Sequence, residues 1–214
     1  MATRAPRWRH LLGPLTVALT ATLSACFTGE RPRLAEGATA TGDPAADAVL
    51  SRLDAGGQAA FTADYSVVTK FGNVTTPATV VQFGPARRAV TIGRIRFLVD
   101  RADTATCDLD ADECSTTIDA ARVSDVQLTP DFYAASAATR LRRDTELRAG
   151  PTRASIETIA GQPATCVVVT VTGGESTYCA LDAGPLARLD AADLSIELTA
   201  YSPTPDETQF DRPD

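Results

Sequence analysis

The chain has 214 residues, and its 20 Lys and Arg against 27 Asp and Glu give a net charge of −7. That length fits one domain with a sizeable core, and the acidic balance argues against nucleic acid as a partner and against direct attraction to an anionic membrane surface. The single histidine is His10; with none elsewhere, Ser–His and Cys–His nucleophile pairs, His general bases and mixed Cys/His zinc sites are excluded from residue 11 onward.

The first element is an N-terminal segment of three regions. Arg4, Arg7 and Arg9 precede a mostly apolar run from Leu11 to Ala25, too short for the ~20 residues a spanning helix needs but laid out as a secretory signal peptide. The run ends Leu23-Ser24-Ala25-Cys26. LSAC resembles the lipobox of bacterial lipoprotein precursors. That resemblance implies a diacylglyceryl group on the Cys26 thiol, cleavage before it, and a membrane anchor on the extracytoplasmic face, since two or more acyl chains hold stably where one does not. Cutting off 25 residues leaves 189, with Lys and Arg falling to 17 while 27 acidic residues remain, a net charge of −10. The anchoring would then rest on the lipid and not on charge.

Residues 26–43 read as the lipidated cysteine and a flexible tether. Asp43-Pro44 predicts an N-cap followed by Pro at the first helical position, and Val49, Leu50 and Leu53 form the apolar stripe of a helix ending at Gly56-Gly57. From Phe61 to Phe71 the odd positions read Phe, Ala, Tyr, Val, Thr, Phe, which is period two and a half-buried strand. Further strands are expected at 75–83, with Pro77 marking an edge or bulge, at 87–92, at 94–100 and near 122–128. Thr129-Pro130-Asp131 predicts the start of a second helix running to about Arg148. Five strands follow at 153–160, 165–172, 175–181, 186–189 and 194–201, and 202–214 reads as a loose tail. The whole of 44–201 is expected to be one α+β domain: an antiparallel curved sheet or incomplete barrel packed on two or more helices.

Cys107, Cys114, Cys166 and Cys179 are even in number in an oxidising compartment, where disulfides are expected. Four cysteines allow three connectivities. Local spacing favours 107–114 across CDLDADEC and 166–179 across CVVVTVTGGESTYC, where a four-residue loop from Val171 to Gly174 would set the cysteines opposite each other. A four-thiolate zinc site is the rival, but neither pair has the C-x2–4-C spacing. Asp108, Asp110 and Asp112 alternate as in a calcium loop with Asp119 at the twelfth position; Glu113 where Gly is required, and Asp where a bidentate Glu is required, favour a solvated acidic loop instead.

Together, the capped helix, FTADYSVVTKF, RIRFLVD, the hairpin around CVVVTVTGGESTYC and the closing LSIELTAYSPTPDETQF resemble the LolA-like lipoprotein carrier superfamily, which includes the mycobacterial LppX/LprG group, over about 44–210. The resemblance implies an incomplete barrel draped over helices with a hydrophobic cavity between. Phe61, Tyr65, Val67, Phe71, Ile95, Phe97 and Val99 would then line it. The same residues are what any sheet buries against a helix, so a filled core is the alternative. Arg87, Arg88, Arg94 and Arg96 could gather at a cavity mouth to hold a lipid phosphate or be solvated strand positions.

Two functions follow. One is an anchored lipoprotein that binds or carries a hydrophobic or acylated ligand in the cell envelope; the other is a non-catalytic module with a filled core that contacts another envelope protein. An enzyme is disfavoured: without histidine, only a carboxylate pair could do acid–base work, and no spacing marks one. Neither a cofactor nor a metal is expected.

Overall fold

The computed structural model describes residues 40–212. The expected lipidation site Cys26, the expected signal segment and the expected tether up to residue 39 lie outside them. The core belongs to a compact unit, Ala38–Asp214.

The first helix, α1 (Pro44–Gly56), starts where the sequence sets it. Asp43 is extended, and its carboxylate accepts from the amides of Ala45 and Ala46 at 3.0 and 3.2 Å, which satisfies two of the orphan donors of the first turn. Val49, Leu50 and Leu53 are buried on one stripe.

Eleven strands follow: β1 (Ala60–Thr69), β2 (Val74–Phe83), β3 (Arg87–Ile92), β4 (Ile95–Asp100), β5 (Asp103–Asp108), β6 (Glu113–Ser115), β7 (Arg153–Ile159), β8 (Gln162–Val171), β9 (Gly174–Leu181), β10 (Leu186–Asp190) and β11 (Leu194–Ser202). They form one antiparallel sheet in the order β6-β5-β4-β3-β2-β1-β11-β10-β9-β8-β7. Two meanders therefore meet at the central β1–β11 pair, and the curved sheet stays open, with β6 and β7 as its edges. The α+β expectation holds in this form.

Register puts the core on one face. Val67 stands opposite Ile196, Ile196 opposite Leu189, Leu189 opposite Tyr178 and Tyr178 opposite Val167. All five are buried in the main cluster with the α1 stripe and with Ala137, Ala138 and Leu141 of α3 (Ala135–Glu146). The helices cover this face; α1 is tied to α3 by Arg142 on Asp54 at 2.9 Å. On the other face a smaller cluster gathers Val81, Ala89, Leu98, Ala105 and Cys107.

Four sequence expectations are corrected. Pro77 marks neither an edge nor a bulge: β2 lies between β1 and β3 without a register shift, and its ladder to β3 begins at Ala78. The strand expected near 122–128 is a helix, α2 (Ala120–Val126), because the Asp119 carboxylate accepts from the Ala121 amide at 2.8 Å and Gln127 ends it in the left-handed region. A seven-residue helix is too short to show a period, which is why valines suggested a strand. The second predicted helix starts later, at Ala135, and has no side-chain cap. Residues 130–134 form turns instead, and they carry Phe132 and Tyr133 into the core. The C-terminal tail is docked. Its 3-10 turn (Glu207–Phe210) brings Phe210 over the smaller cluster, where the Arg87 guanidinium lies 4.6 Å from the Phe83 ring and 4.4 Å from the Phe210 ring.

Both cross-strand disulfides are present, Cys107–Cys114 and Cys166–Cys179. In each, the half-cystines face each other in register, across β5–β6 and β8–β9. The second register comes from a two-residue turn at Thr172-Gly173 closed by the Val171–Gly174 pair, so the four residues expected as loop include a paired rung. In the chain-entropy account each closure contributes about 2–3 kcal/mol, more for the longer loop. A Cys166→Ser/Cys179→Ser variant should therefore lower the urea midpoint more than Cys107→Ser/Cys114→Ser, whose loop is shorter and at the sheet edge. Equal midpoints for the two variants would contradict this ordering.

Candidate functional site

The helix-covered face of the sheet is where the expected binding residues fall. Phe61, Tyr65, Val67, Ile95 and Phe97 are brought together there and belong to one packed cluster. The turn before α3 fills the space over them: Tyr65 meets the edge of Phe132 at 5.1 Å, and Phe61 meets the edge of Tyr133 at 5.8 Å. Two expected members are elsewhere. Phe71 sits in the β1–β2 turn and is 96% exposed, and Val99 is half-buried near the outer end of β4. The first strand stops at Thr69, so the alternation that placed Phe71 inside no longer applies two residues later.

Within this packing one polar atom stands out. The Tyr65 hydroxyl is buried without a hydrogen-bond partner among the described residues. Burial pushes its ionisation well above the ordinary tyrosine value, reinforced by Tyr133, Tyr201 and Asp64. A buried hydroxyl without a partner costs about 1–3 kcal/mol. Tyr65 packs against Phe132, and Phe132 also lines a groove.

That groove runs between α3 and strands β10 and β11 and has a volume of about 420 Å3. Its floor is apolar, from Leu128, Phe132, Leu189, Leu194 and Ile196, and Arg140 and Arg143 stand on its α3 wall. Arg140 donates to the Asp193 carboxylate through both terminal nitrogens. That bond raises the arginine and lowers Asp193 below the usual carboxylate range. Arg143 is more open, touching Asp144 at 3.4 Å. Asp144 is itself buried and accepts from the Tyr178 hydroxyl at 2.5 Å; burial first, then this carboxylate, drive the tyrosine up. The size falls in the ~300–1,000 Å3 range of small-molecule sites; Asp131 also lines the groove, and Arg143 is the less engaged of its two cations.

A second groove of about 460 Å3 lies at the other side of the α2–α3 connection, with Phe71, Val74, Ile92 and Ile95 beside Arg94. The four arginines weighed as a phosphate cluster are engaged in different places. Arg87 stacks on the docked tail and pairs with Asp100, and Arg88 neighbours Tyr133. Arg94 faces Asp108, and Arg96 donates to the Asp211 carbonyl at 3.0 Å.

The acidic loop resolves into the β5–β6 hairpin. Asp108 is nearly buried between Arg94 at 3.5 Å and Arg122 at 3.3 Å, and Asp119 caps α2. Among the described residues, the grouping close enough to hold a metal is Glu157 with Cys166 and Cys179, and those two cysteines are bonded to each other. Sequence reasoning missed Phe132, Tyr133 and the β10–β11 floor. The aromatic pair was visible directly after Thr-Pro-Asp, but that triplet read as a helix cap.

No family model and no curated protein sequence matches the chain. Solved structures do. The chain is similar to MucB, with 16% identity and a TM-score of 0.51 over 79% of this chain and 63% of MucB. It is similar at 16% identity and 0.50 to the Pseudomonas aeruginosa MucA/MucB complex structure, over 78% of this chain and 60% of that one. It also matches the Mycobacterium tuberculosis lipoprotein LppX at 18% identity and a TM-score of only 0.37, over 72% of this chain and 93% of LppX. The chain thus spans under two thirds of the length of MucB, and at this identity the likeness is one of fold alone.

Proposed function

We propose that this chain is a non-catalytic binding lipoprotein of the cell envelope, anchored through Cys26, that takes an anionic amphiphile along the groove between α3 and β10–β11. The observation that carries the reading is the groove itself: a floor of Leu128, Phe132, Leu189, Leu194 and Ile196 below Arg140 and Arg143, with Tyr65, whose hydroxyl is unpartnered, packed against Phe132. The apolar chain supplies the affinity at about 0.8 kcal/mol per buried CH2, and the arginines select the negative head group. Phe132 and Tyr133 pack over Tyr65 and Phe61, so in this reading the ligand lies along the sheet and helix rather than inside a barrel.

The test is to express the chain from residue 27 onward in a related bacterial host, purify it folded, and weigh what dissociates by native mass spectrometry. A near-stoichiometric acylated anion is expected, lost at least tenfold in Leu194→Asp, which sets a carboxylate on the apolar floor. A clean protein would overturn the ligand reading. It would leave the second one, a module that contacts another envelope protein, which the fold shared with MucB, a protein whose structure in complex with MucA is known, supports. The anchor is tested separately. Mass spectrometry of the membrane-extracted protein should find a chain beginning at Cys26 with a diacylglyceryl thioether, absent from Cys26→Ser; a mature N-terminus without acyl mass at Cys26 would sink it.

A further inference from the structure

Among the described residues, the outer edge of the sheet at β7 is unpaired, and its sequence is self-complementary. The β7–β8 hairpin turns through Ala160 and Gly161, both at positive φ, with Ile159 paired to Gln162. The hydrogen-bonding parity along β7 follows from one contact: the Asp182 amide donates to the Pro163 carbonyl at 3.3 Å, so Pro163 directs its backbone toward β9 and away from Thr158, its partner on β7. In an antiparallel ladder hydrogen-bonded and non-hydrogen-bonded pairs alternate. Thr158, Ile156 and Ala154 therefore turn their N–H and C=O groups outward, away from β8, while Ser155 and Glu157 turn theirs inward.

Apart from Arg153 and Glu157, both already in ion pairs, this edge lacks the devices that protect an exposed strand. It has no proline, no lysine and no bulge. Its middle residue, Ile156, is 82% exposed. The opposite edge differs: β6 is three residues long and tied to β5 by a disulfide.

We infer that β7 is an interface for a second copy of this chain, joined edge to edge and antiparallel about a two-fold axis through Ile156. The sequence Arg-Ala-Ser-Ile-Glu-Thr-Ile fits that register. Ile156 faces its own counterpart, and Ala154 faces the second copy's Thr158. Every outward backbone group of the strand's centre is then paired, and the interface is isologous as a closed two-fold requires. On the other face Ser155 stands opposite the second copy's Glu157, and Arg153 lies diagonal to that same carboxylate. Arg153 already bonds Glu175 at 2.8 Å and Glu157 already bonds Arg188 at 2.6 Å, so the edge carries balanced charge and adds to existing ion pairs. This interface stands apart from the ligand groove and does not depend on it.

Sedimentation of the chain from residue 27 onward, over roughly 1–200 μM, combined with amide exchange read residue by residue, tests the pairing. A reversible dimer is expected, with the amides of Ala154, Ile156 and Thr158 gaining protection as concentration rises and those of Ser155 and Glu157 protected throughout. Ile156→Pro removes only an outward N–H, a change edge strands accept, and should raise the dimer dissociation constant at least tenfold while amide protection in β8–β11 is unchanged. Ile156→Lys, which keeps the backbone, should do the same by charge. A monomer at every concentration would overturn the proposal and leave the edge to a different polypeptide, as would a dimer that both variants leave intact.

Discussion

Gly184→Ala should leave little folded protein. A Cβ built on Gly184 falls 2.4 Å from the Cα of Gly56 and 2.6 Å from its nitrogen, and the residue sits at φ +114, where an L side chain is strained whatever the space. The contact is reciprocal: a Cβ on Gly56 would lie 2.6 Å from the Gly184 carbonyl carbon and oxygen. Backbone meets backbone here, the last residue of α1 against the β9–β10 turn, so no side chain can swing aside. The turn is itself fixed by the Gly184 amide donating to Leu181 and the Leu186 amide donating to Tyr133. Relief would require α1 to lift off the sheet, exposing Val49, Leu50 and Leu53. The expected loss exceeds about 4 kcal/mol, at the extreme of single substitutions. Gly161→Ala is the control: it also has positive φ but meets nothing within 4 Å, so it should cost only about 1–2 kcal/mol of backbone strain. Urea midpoints measure both. A Gly184→Ala midpoint as close to wild type as that of Gly161→Ala would mean the helix and turn do not touch as described.

Why the sheet was legible and parts of its cover were not comes down to what each residue answers to. In β11, Ile196 and Leu198 are buried while Glu197 and Thr199 are exposed; one face meets the core and the other meets water, so the sequence alternates. β1 alternates for the same reason. The N-cap at Asp43 was legible because its cause is local. What failed was decided at long range. Thr129-Pro130-Asp131 has the local chemistry of a helix start, but burying Phe132 and Tyr133 against Tyr65 and Phe61 overrides it. The tail is rich in Pro and Asp, yet Phe210 finds Phe83 and Arg87 more than a hundred residues away. No local pattern reports that contact.

The same distinction divides the candidate site. Residues whose side-chain direction follows from strand parity, Phe61, Tyr65, Val67, Ile95 and Phe97, were placed together from sequence. Whether they border a space or fill one depends on the 128–134 connection, whose course no periodicity encodes. Arg140 and Arg143 carry no sequence signal of their own; they matter because α3 lines the same groove as β10 and β11. Asp108 read as a possible ligand oxygen and is instead a buried charge held between two arginines, a pairing that brings α2 and the β3–β4 turn to it.

Gln82→Leu should cost about 2–4 kcal/mol, the loss of three buried hydrogen bonds. Gln82 is 1% exposed. Its Nε2 donates to the carbonyls of Gly56 at 2.9 Å and Ala59 at 2.8 Å, and its Oε1 accepts from the Tyr133 hydroxyl. One side chain thus joins the end of α1, the start of β1 and the aromatic turn before α3. Leucine has the shape but none of the polar groups, so the Tyr133 hydroxyl and two carbonyls each lose one bond, while the Gly56 carbonyl keeps the Ala59 amide and the Ala59 carbonyl keeps the Gly84 amide. Tyr133→Phe removes only one of those bonds and should cost about 1–2 kcal/mol, and the double variant should cost less than the two single losses added, because the shared bond is counted once. Strict additivity would mean that the two side chains are not coupled. Gln82→Glu gives the sign of the same environment. Burial would push the new carboxyl above its ordinary value of about 4.3, so the variant is most stable while the group stays neutral, and its stability falls as pH rises past that value. A Gln82→Glu protein whose stability relative to wild type is flat from pH 4 to 8 would show that position 82 is wet.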